Sequence, residues 1–282
     1  MQLLITDLDN TLYDWVTFFA RSFSAMLKVL VEMTGIDREI LLDEFKAVHQ
    51  RYHNTEQPFA VLELPSVCAL YGNPTPRELR DKLEPALLAF NLERNYTLRP
   101  YPSVTETLSY LQRQGVRIVG HTEAIVPNAM YRLIKLDLLK YFSRLYALDG
   151  SKTQHPIPER AAVYEPPPGF VHLVPPDERK PNPRLLTDIC AQEQTTLDNT
   201  WYVGDSLTRD ISMAKIAGVK AIWTRYGTQY DKSLWDILVR VTHWSEEDVR
   251  RESLLNEWYA QVKPDYEIEA FAEIKKIMQL AE

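Results

Sequence analysis

Three short apolar runs in this sequence are each followed by a polar residue that can bind a ligand or take part in a reaction. Residues 3–5, 116–120 and 200–203 are brief and apolar, which predicts buried β-strands. Each run is followed two positions later by a polar residue: Asp7, Thr122 and Asp205. Because the carboxyl ends of parallel strands share one edge of a sheet, we expect these three side chains to lie close together.

The spacing of the remaining elements predicts an α/β fold. Further strands are expected at residues 145–148, 170–174, 219–223 and 266–268. Helical spacing is expected at residues 39–52, 77–92, 104–114, 126–135, 183–191, 210–217 and 271–280. Strands that alternate with helices in this way indicate βαβ units and a Rossmann-like, doubly wound parallel sheet.

A helical segment separates the first strand from the rest of the predicted sheet. Apolar residues such as Phe23 and Leu27 recur there at helical spacing. We therefore predict two domains, a core formed by residues 1–14 and 100–282 and an inserted helical domain formed by residues 15–99.

Two insertions lengthen the predicted core. Residues 149–179 are rich in proline, which excludes a helix, although residues 170–174 could form one arm of a hairpin. Residues 228–263 are predicted to be an added, largely helical segment. Long loops are usually functional or mobile, so the proline-rich segment, which directly precedes Lys180, could form a flap near the entrance of a site or a contact with another subunit.

Bulk composition narrows the class of function. The formal net charge of −7 argues against a nucleic-acid partner, which usually meets a basic surface. Cys68 and Cys190 match no metal or redox motif, so we expect reduced, structural thiols. The first residues do not resemble a signal peptide, and no apolar run reaches the roughly 18 residues of a membrane span. The sequence therefore predicts a cytoplasmic enzyme.

Four motifs occur in order along the chain. Residues 7–12 match D-x-D-x-T-L, Thr122 follows an apolar strand, residues 180–183 match K-P-x-P, and residues 204–210 match G-D-S-x-x-x-D. With this set the chain resembles the haloacid dehalogenase-like (HAD) hydrolase superfamily, in its phosphatase branch with a type 1 helical cap. The resemblance covers residues 1–14 and about 100–226 well. It implies that residues 15–99 are a cap that closes over the site and selects the substrate.

The acidic residues of these motifs suit phosphoryl transfer with a metal ion. Asp7 is a carboxylate at a strand end that can attack phosphorus, so that an aspartyl-phosphate divides the hydrolysis into two steps. Attack by an anion on a phosphate requires positive charge, and Mg²⁺ prefers carboxylate, carbonyl and phosphate oxygens. Asp7 and Asp205 would bind Mg²⁺ through their side chains, and the resemblance adds the main-chain carbonyl of Asp9. Asp210 would hold Lys180 or a water of the metal ion, or it would simply cap the following helix.

The resemblance also assigns roles to the remaining motif residues. Asp9 would be the general acid for the leaving group and then the base for water, and an aspartate at this position points to phosphate ester chemistry. Thr122, through its hydroxyl, and Glu123, through its backbone N–H, would donate hydrogen bonds to the phosphoryl oxygens. Lys180 would neutralise Asp7 and the phosphoryl group.

The sequence therefore predicts a Mg²⁺-dependent phosphatase for a small phosphorylated metabolite, with a nucleotide monophosphate as one candidate. A sugar phosphomutase and a non-catalytic binding protein with the same fold are the alternatives. His49, Arg51, Tyr52 and His53 would face the substrate or form an exposed polar helix end. A homodimer is compatible with the sequence.

Overall fold

The computed structural model describes residues 2–150 and 166–278. Seven strands in these residues form one sheet, in the order β4-β3-β2-β1-β5-β6-β7. The strands are β1 (Leu3–Thr6), β2 (Arg117–Ile125), β3 (Arg144–Leu148), β4 (Val171–Val174), β5 (Thr200–Gly204), β6 (Lys220–Thr224) and β7 (Tyr266–Ile268). All neighbouring strands run parallel, which confirms the predicted sheet.

The first strand lies at the centre of this sheet. Thr6 is level with Gly120 of β2 on one side and with Val203 of β5 on the other. The strand order extends in opposite directions from this point, so the gap between β1 and β5 is the position where a ligand site is expected in such a sheet.

Helices cover both faces of the sheet. They are α1 (Trp15–Thr34), α2 (Arg38–Tyr52), α3 (Pro65–Leu70), α4 (Pro76–Lys82), α5 (Glu84–Thr97), α6 (Val104–Arg113), α7 (Val126–Lys135), α8 (Pro183–Gln192), α9 (Ser212–Ala217), α10 (Lys232–Val241), α11 (Glu246–Trp258) and α12 (Ile274–Ile277). Successive residues of a strand point to opposite faces. Accordingly, Leu4 belongs to the apolar core that contains Leu108 of α6, whereas Ile5 belongs to the core that contains Ile189 of α8. The sheet is therefore doubly wound, as predicted.

Helices α1–α5 follow the first strand. Asp14 caps α1 by accepting a hydrogen bond from the backbone of Thr17, and Gly35 ends it at φ 67°, a conformation that residues with a Cβ rarely adopt. Phe19 packs edge-on against Phe90 of α5, at 6.3 Å between ring centres. The helical content of this segment is as expected, and its division from the core as a cap domain stays a prediction.

The helix expected at residues 77–92 is two helices. Helix α4 ends at Lys82, and α5 begins at Glu84 with Pro85 in its first turn. Proline has no N–H to donate and its ring clashes with the preceding turn, so a continuous helix through residue 85 is disfavoured.

The strand at residues 170–174 was expected to be compatible with a hairpin, and that interpretation is wrong for the described residues. Leu145 of β3 is level with Val171 of β4, and the two strands run parallel. Residues 151–165 of the proline-rich segment lie outside the described residues.

Two predicted helices differ in their ends. The helix expected from residue 210 starts earlier with a π-helical turn, Leu207–Ile211, before α9. The last helix is shorter than residues 271–280, with a 3₁₀ turn at Phe271–Glu273 before α12, and residues 279–280 lie outside the described part of the chain.

The insertion at residues 228–263 contains α10 and α11 and contacts the segment of helices α1–α5. The ring Nδ1 of His49 in α2 is 2.7 Å from the carbonyl oxygen of Val241. Thr55 Oγ1 and His243 Nδ1 are 2.8 Å apart. In the described part of the chain, every helix is too short or too polar to cross a membrane.

Candidate active site

The ends of the central strands bring two aspartates together. Asp7 directly follows β1, and its backbone N–H donates to the carbonyl of Val203 in β5 at 2.9 Å. Asp205 directly follows β5. A Cβ at Gly204 would lie 2.4 Å from Oδ2 of Asp210, so only glycine allows this approach of the loop to the strand.

Three carboxylates form a close cluster at this edge. Ligand oxygens of Asp7, Asp205 and Asp210 all lie within 4.8 Å of one another. Burial raises the pKa of Asp7 from 3.8 to about 7, and Asp210 and Asp9 add to the shift. Burial, followed by Asp210 and Asp7, also raises the pKa of Asp205 well above its ordinary value. The cluster is thus a set of hard oxygen donors with unfavourable mutual repulsion, which fits a divalent cation such as Mg²⁺.

Lys180 carries the positive charge of this cluster. Its Nζ donates to Oδ1 of Asp7 at 2.6 Å and to Oδ1 of Asp210 at 2.9 Å. Burial alone would lower the pKa of Lys180, but the carboxylates of Asp210 and Asp7 raise it well above its usual value. Lys180 is therefore charged and points at the predicted nucleophile.

A buried tyrosine and a buried histidine extend the hydrogen bonds of the cluster, and the sequence analysis predicted neither of them. Tyr202 in β5 donates its hydroxyl to Oδ1 of Asp210 at 3.0 Å, and Nδ1 of His121 lies 3.3 Å from the same hydroxyl. Burial, and then the charge of Lys180, lower the pKa of His121 well below its ordinary value, so the ring is neutral. One indication of their position was present in the sequence, because Tyr202 lies inside a predicted buried strand and His121 directly follows one.

The side chain of Asp9 does not join the three-carboxylate cluster. Its Oδ1 instead accepts a hydrogen bond from Nη1 of Arg132 in α7, at 2.6 Å. Arg132 also pairs with Glu56, which belongs to the segment between α2 and α3. Sequence analysis missed Arg132 and Glu56.

Thr122 and Glu123 lie in β2, which continues beyond the predicted strand end to Ile125. The hydroxyl of Thr122 accepts from the backbone of Ala124 at 3.0 Å, and its side chain is buried. The carboxylate of Glu123 accepts from the backbone N–H of Lys180 at 3.2 Å and pairs with Arg209 at 3.1 Å. Glu123 thus ties β2 to the loop that carries Lys180.

Comparison with known families agrees with this arrangement. A family model described as haloacid dehalogenase-like hydrolase matches residues 1–218, which include the three clustered aspartates and Lys180. The chain belongs to the haloacid dehalogenase-like hydrolase family. The predicted resemblance is confirmed.

Individual relatives within this hydrolase family are distant. The chain is 23% identical over 234 residues to the glyceraldehyde 3-phosphate phosphatase of Methanopyrus kandleri, which spans 82% of this chain and 87% of the relative. It is 27% identical over 138 residues to a probable phosphoglycolate phosphatase of Pseudomonas putida, which spans 48% of this chain and 44% of the relative. The structure of a 2-haloacid dehalogenase from Pseudomonas syringae pv. tomato DC3000 has a TM-score of 0.55 at 16% identity, covers 99% of this chain and 98% of the other, and shows a shared fold.

In this hydrolase, the α10–α11 insertion reaches the rim of the site. Arg209, which directly precedes Asp210, pairs with Glu252 of α11 at 3.0 Å, and the ring of Trp244 lies beside its guanidinium. Arg251 donates to the carbonyl oxygen of Lys180 at 3.4 Å. The sequence predicted this insertion as an added, largely helical segment, but it did not predict that the insertion contacts the site.

The polar group at the end of α2 is placed apart from the cluster. Burial lowers the pKa of His49 to about 4, so its neutral ring donates to Val241. Arg51 forms an ion pair with Glu63, Tyr52 donates its hydroxyl to the same carboxylate, and both residues are exposed. These contacts match the polar helix end and give no support to a role in substrate binding.

Proposed function

We propose that the protein is a Mg²⁺-dependent phosphatase that hydrolyses a small phosphorylated metabolite through an aspartyl-phosphate on Asp7. The chain is a HAD-like phosphoric monoester hydrolase in class, as predicted. The observation that carries the proposal is the contact of Lys180 with both Asp7 and Asp210, in a cluster that also contains Asp205. Such a cluster combines a nucleophile, a fixed cation and oxygen donors for a metal ion.

Asp7 is proposed as the nucleophile. One of its carboxylate oxygens forms a bond to phosphorus while the ester oxygen leaves, and water then attacks the aspartyl-phosphate to release phosphate. Lys180 offsets the negative charge of Asp7 and of the incoming phosphoryl group. Its two short contacts hold the ammonium in place before substrate binds, so little reorganisation is needed during the reaction.

Asp9 is proposed as the acid and base. It donates a proton to the leaving oxygen in the first step and accepts one from water in the second. Thr122 and the backbone N–H of Glu123 are proposed as donors to the phosphoryl oxygens. The buried position of Thr122 and the tie between Glu123 and Lys180 support a fixed phosphate site at the end of β2.

The proposed metal ligands are the side chains of Asp7, Asp205 and Asp210 and the main-chain carbonyl of Asp9. Bound Mg²⁺ would supply positive charge that offsets the repulsion between the nucleophile and the phosphate. Burial is the main cause of the raised pKa values of Asp7 and Asp205, and the neighbouring carboxylates add to the rise while Lys180 offsets only part of it, which supports this assignment.

The proposed substrate is a small organic phosphate monoester. Two relatives carry the names glyceraldehyde 3-phosphate phosphatase and probable phosphoglycolate phosphatase, which support a compound of two or three carbons. Nucleotide monophosphates are also candidate substrates. A cytoplasmic location, a homodimer and the absence of a nucleic-acid partner stay predictions.

The test is hydrolysis of 4-nitrophenyl phosphate, followed by a panel of phosphorylated metabolites, with Mg²⁺ or with excess chelator. We expect turnover only with the metal, and a loss of more than about 1,000-fold in Asp7→Asn, because removal of a covalent nucleophile leaves only binding and electrostatic effects. Asp198→Asn is a matched control, since Asp198 is an exposed aspartate in the turn before the amino end of β5.

Three outcomes would overturn the proposal. Unchanged turnover in Asp7→Asn would exclude Asp7 as the nucleophile. Transfer of phosphate between positions of a sugar phosphate, with little free phosphate released, would indicate a phosphomutase. Binding of Mg²⁺ and phosphate without turnover of any substrate would indicate a binding protein.

A further inference from the structure

An arginine in α7 is buried beside the proposed acid–base residue. The side chain of Arg132 is 3% exposed, and its two terminal nitrogens contact different carboxylates. Nη1 donates to Oδ1 of Asp9 at 2.6 Å, and Nη2 donates to Oε2 of Glu56. An arginine at this depth is rare unless it is paired, so its two partners explain its presence.

Glu56 is itself fixed by other groups. Its Oε1 accepts from the indole Nε1 of Trp15 at 2.7 Å, and its backbone carbonyl accepts from the side-chain amide of Asn128 at 3.2 Å. The carboxylate is 12% exposed. Glu56 therefore holds Arg132 through Nη2, the terminal nitrogen that does not contact Asp9.

Aromatic rings complete the surroundings of the guanidinium. Its central carbon is 5.2 Å from the ring centre of Phe18 and 5.9 Å from that of Tyr13. A guanidinium is planar and rigid, so two carboxylates and two rings leave it one orientation. The carboxylate of Asp9 is then held in the orientation that Nη1 sets.

We propose that Arg132 is a positioning residue for Asp9, and that Glu56 keeps Arg132 in place. This inference rests on the proposed function, because it takes Asp9 as the group that protonates the leaving oxygen. Arg132 acts through Asp9: it keeps the carboxyl group directed at the leaving oxygen. Glu56 lies in the segment of helices α1–α5, so the orientation of Asp9 also depends on the position of that segment.

The consequence is a specific dependence on the leaving group. A general acid contributes most when the departing oxygen is strongly basic, and little when it is a weak base. Phenyl phosphate and 4-nitrophenyl phosphate have similar shapes, but phenolate is the more basic leaving group. A misplaced Asp9 should therefore slow phenyl phosphate hydrolysis much more than 4-nitrophenyl phosphate hydrolysis.

The experiment measures kcat and KM of both esters for the wild type, Arg132→Gln, Arg132→Lys and Glu56→Gln, with Asp9→Asn as the reference. For Arg132→Gln we expect kcat/KM to fall about 30-fold with phenyl phosphate and about threefold with 4-nitrophenyl phosphate, a part of the roughly 100-fold or more that a general acid contributes. KM should change little for either ester. Arg132→Lys should recover part of the loss, because it keeps the charge but loses the second arm.

Arg117→Gln is the matched control. Arg117 pairs with the buried Glu193 at the start of β2, at the opposite edge of the sheet from Asp9. Its removal should leave the ratio of the two kcat/KM values unchanged, even if the variant is less stable.

Two results would overturn the inference. An equal fall of kcat/KM with both esters would make Arg132 a structural residue, because kcat/KM reports the step in which the leaving group departs and not the later hydrolysis that both esters share. A rise of kcat/KM would show that the pair holds Asp9 away from the leaving oxygen. If Arg132→Gln does not fold, Arg132→Lys and Glu56→Gln give the same comparison. Failure of the proposed function is a different result, in which the wild type itself hydrolyses neither ester.

Discussion

Two groups of buried charges lie at opposite edges of the same sheet. At the amino ends of the strands, the carboxylate of Glu193 is 3% exposed and lies 3.1 Å from Nη1 of Arg117 and 2.9 Å from Nε of Arg144. Tyr146 donates its hydroxyl to the same carboxylate at 3.0 Å. One anion is thus surrounded by two cations and a neutral donor.

The group at the carboxyl ends has the opposite balance. Three carboxylates, from Asp7, Asp205 and Asp210, share the single ammonium of Lys180 among the contacts described above. The Glu193 group needs no ligand to satisfy its charge, whereas the Lys180 group is short of positive charge. Burial of charge is common to both, and the unfavourable balance is what marks the second group as a site.

The largest expected effect tests this imbalance through pH. The pKa of Asp7 rises from 3.8 to about 7 on folding, so between these values the native protein binds more protons than the unfolded chain. Its stability should therefore fall as pH rises through this window, by up to about 4 kcal/mol for a shift of three units. Urea unfolding of metal-free protein at pH 5 and pH 7.5 should record about 2.5 kcal/mol of this fall, the part that lies between these two pH values, and Asp7→Asn should show a smaller fall. Equal falls in both proteins would contradict the imbalance.

The next effect compares the two groups by removing a cation from each. In Lys180→Met we expect kcat with 4-nitrophenyl phosphate to fall about 100- to 1,000-fold, since a fixed donor to the transferring group is lost. Arg117→Gln removes a cation from the Glu193 group and should leave kcat of the folded protein unchanged. Similar losses in the two variants would show that the groups do not differ in function.

The smallest effect concerns the Glu193 group alone. Glu193→Gln should lower the free energy of unfolding by about 2 kcal/mol, which is within the range for hydrogen bonds to charged groups. The loss is not larger because Arg117 and Arg144 still reach solvent after the charge of Glu193 is removed. Activity per folded molecule should not change. Thermal unfolding followed by circular dichroism measures the loss, and Asp198→Asn should stay within about 0.5 kcal/mol of the wild type. A loss of activity in folded Glu193→Gln would contradict this prediction, because it would show that the Glu193 group influences the active site.

Sequence patterns predicted two members of the Lys180 group, Asp7 and Asp205, because they follow strand ends. Asp7 and Asp205 come directly after β1 and β5, and parallel strands bring their carboxyl ends to one edge whatever the intervening chain does. The fold class follows from the same alternation of strands and helices. Lys180, in a loop, needed the family resemblance, since an isolated lysine carries no such positional constraint.

Arg132 and Glu56 were missed for a physical reason. Arg132 occurs in an amphipathic helix, where a cation ordinarily faces water, and its partners lie 123 and 76 residues away in the chain. Local periodicity does not report contacts at that separation. The break between α4 and α5 is the opposite case, because Pro85 is a local feature from which the end of the first helix could have been predicted.

The α10–α11 insertion holds the helical segment α1–α5 and the core at once. His49 and Thr55 bond to the end of α10 and to His243, while Arg251 of α11 bonds to the carbonyl of Lys180. If helices α1–α5 swing outward to admit a substrate, they must either break these bonds or carry the insertion with them. In the second case, entry of reactant and exit of phosphate would require two segments that are far apart in the sequence to move as one body.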